Sequence, residues 1–122
     1  MITILVIDAD PAVRLTARRV LEAAGFTVIA VGDAASALDR LAVLRADLVI
    51  CDMDVRGPDG RPAIDAIGDL DPSAYILTLF PKHRDTAGML PYLGNALGKP
   101  FTASELLAKV RRSLVGPGPR SP

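Results

Sequence analysis

Short runs of apolar residues alternate along the chain with longer stretches in which apolar positions recur every three or four residues. That alternation is the signal of βα units laid around a parallel sheet, because strands covered by helices on both faces read as continuous apolar runs. "ITILVI" (2–7) predicts a first strand, which Asp8 ends. Asp10 followed by Pro11 reads as a helix N-cap and first helical residue; Val13, Ala17, Val20, Leu21 and Ala24 then hold one face until Gly25 stops the helix. "FTVIAV" (26–31) predicts the second strand, and Ala37, Leu38, Leu41 and Leu44 give residues 33–45 a helical period. "DLVIC" (47–51) predicts the third strand, followed by a loop rich in glycine and proline and a weaker helix near 61–70, where Gly68 lowers helix propensity. "YILTLF" (75–80) predicts the fourth strand, and beyond Pro81 the interruptions at Gly88 and Pro91 predict a short or irregular helix. "NALG" (95–98) predicts a fifth strand, and Thr102 with Glu105 makes the T-x-x-E capping box of a fifth helix carrying Leu106, Leu107, Val110 and Leu114. The tail "GPGPRSP" (116–122) cannot continue that helix, so residues 1–115 are expected to form the domain and 116–122 a flexible tail or linker stub.

Composition narrows the function classes. A chain of 122 residues, half of them apolar, suits one domain with one core. Fourteen basic residues balance fourteen acidic ones, so the net field favours neither a nucleic acid backbone nor an anionic membrane, and charge-driven function must be local. The basic clusters at 18–20 and 109–113 read as solvated helix faces, and no helix-turn-helix fits in the tail. No apolar stretch approaches the ~20 residues of a membrane span and no basic leader precedes the first strand, so a cytoplasmic protein is expected. The lone Cys51 lies in an apolar run and reads as a core residue; the lone His83, in the polar "PKHRD", reads as a solvated side chain.

In an open parallel sheet, every loop that follows a strand opens on the same edge. Asp8 ends the first strand, Asp52 the third, Thr78 lies near the end of the fourth, and Lys99 follows the fifth. Gathered carboxylates repel one another unless a cation compensates them. Carboxylates with one open side suit Mg2+, which keeps waters and phosphate oxygens among about six ligands. Such a metal and Lys99 would neutralise a phosphoryl group arriving at a carboxylate oxygen, with the Thr78 hydroxyl bonding another phosphoryl oxygen. Asp52 is the expected acceptor, carried by its apolar strand to the mouth of the loop.

The blocks "ILVIDADP", "DLVICDMDVRGPDG", Leu77-Thr78 and "KPF" (99–101) resemble, in order and spacing, the receiver domain of two-component response regulators over residues 2–115. The resemblance implies an α/β fold, flavodoxin-like and doubly wound, (βα)5 with strand order 2-1-3-4-5. It implies a phosphoaspartate at Asp52, made by transfer from a histidine kinase or phosphotransfer protein, with Thr78 and Lys99 as the other catalytic residues. Mg2+ would be held by Asp8, Asp52 and the backbone carbonyl of Asp54, and the Lys99-Pro100 peptide would be cis. A downstream effector would bind the face of the fourth helix, fifth strand and fifth helix, and a homodimer through the fourth-helix region is left open. Signalling, rather than enzymatic turnover, is the implied role.

Four positions depart from the family pattern. Ala9 stands where a second acidic residue binds the metal, a change expected to weaken Mg2+ by at least about 10 to 100-fold. Leu79 replaces a small residue after the threonine and is expected to narrow the entrance, Ala96 replaces an aromatic that swings inward, and Arg56 replaces a proline. The alternative is therefore a phosphorylation-independent pseudo-receiver, a protein interaction module in which Lys99 pairs permanently with Asp52. "DMDV" also resembles the D-x-D-x-[T/V] motif of haloacid dehalogenase-type phosphatases, with Asp54 as acid and base. That reading lacks its downstream acidic pair, because Glu105 is the only acidic residue after Lys99.

Overall fold

The computed structural model describes residues 1–85 and 94–115. Five strands, β1 (Thr3–Ile7), β2 (Thr27–Val31), β3 (Leu48–Asp52), β4 (Ile76–Pro81) and β5 (Ala96–Lys99), alternate with helices α1 (Pro11–Ala23), α2 (Ala34–Val43), α3 (Ala63–Leu70) and α4 (Ala103–Val115). The strands form one parallel sheet in the order β2-β1-β3-β4-β5, as the family resemblance implied. Helix α4 is the fifth helix of the sequence pattern. The irregular helix expected around Gly88 and Pro91, and the tail 116–122, lie outside the described residues.

Because side chains alternate across a pleated strand, each strand feeds two cores. Ile4, Val6, Leu48, Ile50, Leu77, Leu79 and Leu97 pack on one face against Ala17 and Leu21 of α1 and Leu106 and Val110 of α4. On the other face Leu5, Ile7, Val49 and Cys51 meet Ala34 and Ala37 of α2 and Ala63, Ile64 and Ile67 of α3, with Ile76 and Phe80 packed alongside. Burial on both faces is why the strands lack the apolar-polar alternation of a half-exposed sheet.

The starts of α1 and α4 follow the local chemistry predicted for them, and α2 has a cap of the same kind. Asp10 accepts from the Ala12 amide at 2.9 Å and caps α1 with Pro11 at its first position. Asp33 caps α2 through the Ser36 amide at 2.7 Å. Thr102 and Glu105 exchange side-chain to backbone hydrogen bonds of 3.1 and 2.8 Å, closing the capping box of α4. Between β3 and α3 the chain turns tightly, with the Gly57 amide donating to the Arg61 carbonyl at 2.7 Å and Gly60 at φ +81, a backbone region that suits glycine.

Candidate functional site

Three of the predicted residues meet at the carboxyl rim of the sheet. Asp8 follows β1 directly, Asp52 ends β3, and Lys99 ends β5. Strand alternation puts all three on the α1/α4 side: Asp8 continues Ile4 and Val6, Asp52 continues Leu48 and Ile50, and Lys99 continues Leu97. The Lys99 Nζ donates to Asp8 Oδ2 and to Asp52 Oδ2, each at 3.0 Å. Asp8 is 1% exposed and Asp52 6%. Each remaining carboxylate oxygen has a backbone donor, the Asp10 amide on Asp8 Oδ1 at 2.9 Å and the Asp54 amide on Asp52 Oδ1 at 3.1 Å.

The two carboxylates set the protonation of their neighbours. Burial works against the charged Lys99 ammonium, but the hydrogen bonds and charges of Asp8 and Asp52 outweigh it and raise its pKa above the ordinary lysine value. The Cys51 thiol is pushed up to about 12, first by burial and then by the charges of Asp52 and Asp8. Cys51 is thus an inert thiol on the opposite face, in keeping with its core reading. The Lys99-Pro100 peptide is cis, as the family resemblance implied.

Thr78 does not join this cluster. It is 3% exposed, and along β4 it falls between Leu77 and Leu79 of one core, so it shares the opposite face with Ile76 and Phe80. Its cross-strand partner is Cys51, whereas Asp52 lies opposite Leu79. Leu79, expected at the entrance, is fully buried in the α1/α4 core, level with Asp52 on the neighbouring strand. The β4 residue level with Lys99 at the rim is Pro81, which has no hydroxyl.

The Asp54 carboxylate is exposed and forms an ion pair with the Arg84 guanidinium in the loop after β4, while its amide stays on Asp52 Oδ1. Ala9 contributes only a methyl group, and its carbonyl, with that of Asp8, accepts from the Arg14 guanidinium at 3.1 and 2.7 Å. Among the described residues no group of three His, Cys, Asp or Glu side chains is arranged to hold a metal ion. The two carboxylates expected to hold Mg2+, Asp8 and Asp52, lie together at the rim, and the Lys99 ammonium bridges them. Arg14 and Arg84 were missed by sequence reasoning. Arg14 follows the Asp10 cap by one helical turn, a weak signal, and Arg84 sits in a polar stretch that reads as solvated.

The model of the response regulator receiver domain matches residues 4–111. The chain belongs to the response regulator receiver family. This receiver is 34% identical over 128 residues to the response regulator MprA of Mycobacterium sp. (strain KMS), covering 99% of this chain and 56% of that protein. It is 33% identical over 116 residues to MprA of Mycobacterium bovis (strain BCG / Pasteur 1173P2), covering 93% of this chain and 50% of that protein. The chain thus spans about half the length of these relatives. Among solved structures, the receiver superposes on a response regulator receiver protein from Sinorhizobium medicae WSM419 with TM-score 0.76 and 28% identity, covering 93% of this chain and 94% of the other. The TM-score is 0.79, at 25% identity, for the signal receiver domain of an HD domain-containing protein from Pseudomonas fluorescens Pf-5, covering 93% of this chain and 94% of that one. No helix among the described residues is long and apolar enough to cross a membrane.

Proposed function

We propose that this receiver accepts a phosphoryl group on Asp52 from a phosphohistidine of a kinase or phosphotransfer protein. An Asp52 carboxylate oxygen attacks phosphorus, the P–N bond to the imidazole breaks as the P–O bond forms, and the departing nitrogen keeps the electron pair. The observation that carries this reading is the single ammonium shared at 3.0 Å between Asp52 and Asp8, because it holds a cation beside the oxygen where phosphate charge arrives. Asp8 keeps Lys99 at the rim when Asp52 is esterified. Mg2+ would be held by Asp8, Asp52 and the Asp54 carbonyl and would supply further charge neutralisation, and no step is routed through it. Output is proposed to pass to an effector protein through the face that includes β5 and α4.

A second reading, a phosphorylation-independent interaction module, is favoured by three particulars. Ala9 removes a carboxylate, Thr78 faces the other core, and Asp54 is engaged by Arg84. Intact-mass measurement after incubation with a small phosphodonor, with and without added Mg2+, separates the two. The expected result is one phosphoryl increment on the wild type and none on Asp52→Asn, whose circular dichroism is unchanged. A wild-type chain that never gains the increment would transfer the conclusion to the interaction module.

A further inference from the structure

At the rim no hydroxyl from β4 meets phosphoryl oxygens, because Thr78 lies on the opposite face, and Ala9 supplies no carboxylate to a metal. A cation outside the predicted set is tied to the site through Asp54. Arg84 lies just after β4, in a segment anchored to the site strand by the Lys82 amide, which donates to the Lys99 carbonyl at 3.1 Å. Its guanidinium pairs with the carboxylate of Asp54, 30 residues away in sequence. Asp54 is in turn tied to the acceptor, since its amide donates to Asp52 Oδ1 at 3.1 Å. The arginine is therefore linked to the acceptor through one residue, Asp54, whose side chain pairs with it and whose amide bonds Asp52. The pair is half exposed, with side-chain exposures of 51% and 44%, so solvent weakens it and exchange of its partner costs little.

We propose that Arg84 is a phosphoryl-binding residue, stored on Asp54 and transferred to the phosphoryl oxygens when Asp52 is esterified. This rests on Asp52 being the acceptor. Phosphorylation replaces a carboxylate of charge −1 by an acyl phosphate of about −2 beside Asp54, adding repulsion there and offering Arg84 a stronger, bidentate partner. The exchange moves the 82–85 segment relative to the β3–α3 loop. Asp54 acts as the competing anion, holding the arginine in place while Asp52 is free.

The test is a two-by-two set of variants, Arg84→Ala, Asp54→Ala and the double change, each timed for phosphoryl uptake from a small donor by intact mass. Arg84→Ala is expected to slow uptake by about tenfold with unchanged melting behaviour, and Arg84→Lys to recover part of the loss. Asp54→Ala is expected to speed uptake, and the loss on removing Arg84 is expected to persist in that background. If removing Arg84 has no effect once Asp54 is gone, the arginine only neutralises Asp54 and the proposal is overturned. If the wild type is labelled and Arg84→Ala equals it, the proposal falls while Asp52 remains the acceptor. A wild type that takes no label removes both.

Discussion

Lys99 is the residue on which the site's electrostatics turn. It is the cation shared by two carboxylates that are nearly inaccessible to water. Replacing it by methionine leaves both charges without a counter-ion and is expected to cost about 3 kcal/mol, read from urea unfolding at neutral pH. The change Asp52→Asn in the same chain should return part of that loss. Because folding raises the Lys99 pKa, the protonated form is favoured by the folded state. Its stabilisation is complete below the unfolded value of 10.5 and is lost as pH rises through the folded value. The wild type should thus lose stability relative to Lys99→Met in strongly alkaline solution, and parallel curves for the two proteins would contradict that linkage. Side chains of this kind were legible in the sequence, since Asp8, Asp52 and Lys99 each terminate an apolar run, and the end of a parallel strand delivers a residue to one rim.

At the scale of the element, helix starts carry both stability and site geometry. Asp10 caps α1 with its side chain while its amide holds Asp8 Oδ1, so one residue couples the helix to the acidic pair. Asp10→Ala is expected to cost about 1 kcal/mol in thermal or urea unfolding, with the Asp8 contact retained because it uses the backbone. In α4 the Thr102 amide and hydroxyl hold the Glu105 carboxyl below its ordinary value. A depressed carboxyl stabilises the fold above its unfolded pKa of 4.5 and loses that contribution as pH falls through the folded value. The stability difference between wild type and Glu105→Gln should shrink as the solution is acidified, which a series of urea midpoints would reveal. Caps were readable from sequence because they are local, spanning a single helical turn, and no distant contact decides them.

For the whole molecule the sheet divides two cores, one under α1 and α4 and the other under α2 and α3. Leu106→Ala and Ile67→Ala each empty a fully buried site on opposite faces, and each is expected to cost about 3 kcal/mol. The two losses should add in the double variant, because the sites share no packing partners. A sum that departs strongly from additivity in urea unfolding would show that the cores respond as one.

The sequence by itself determined the order of elements, the caps, and the three strand ends that make the rim, since these depend on period, terminus and neighbouring residues. Only the tertiary structure decided which way Thr78 faces. A strand's side chains change face with every residue, so a step of one in register exchanges rim and core, and "ILTLF" reads the same either way. Likewise, the Asp54–Arg84 pair joins residues 30 apart through two loops. No local pattern encodes that meeting: it exists because β3 and β4 lie side by side, and the sheet brings the loops after them together.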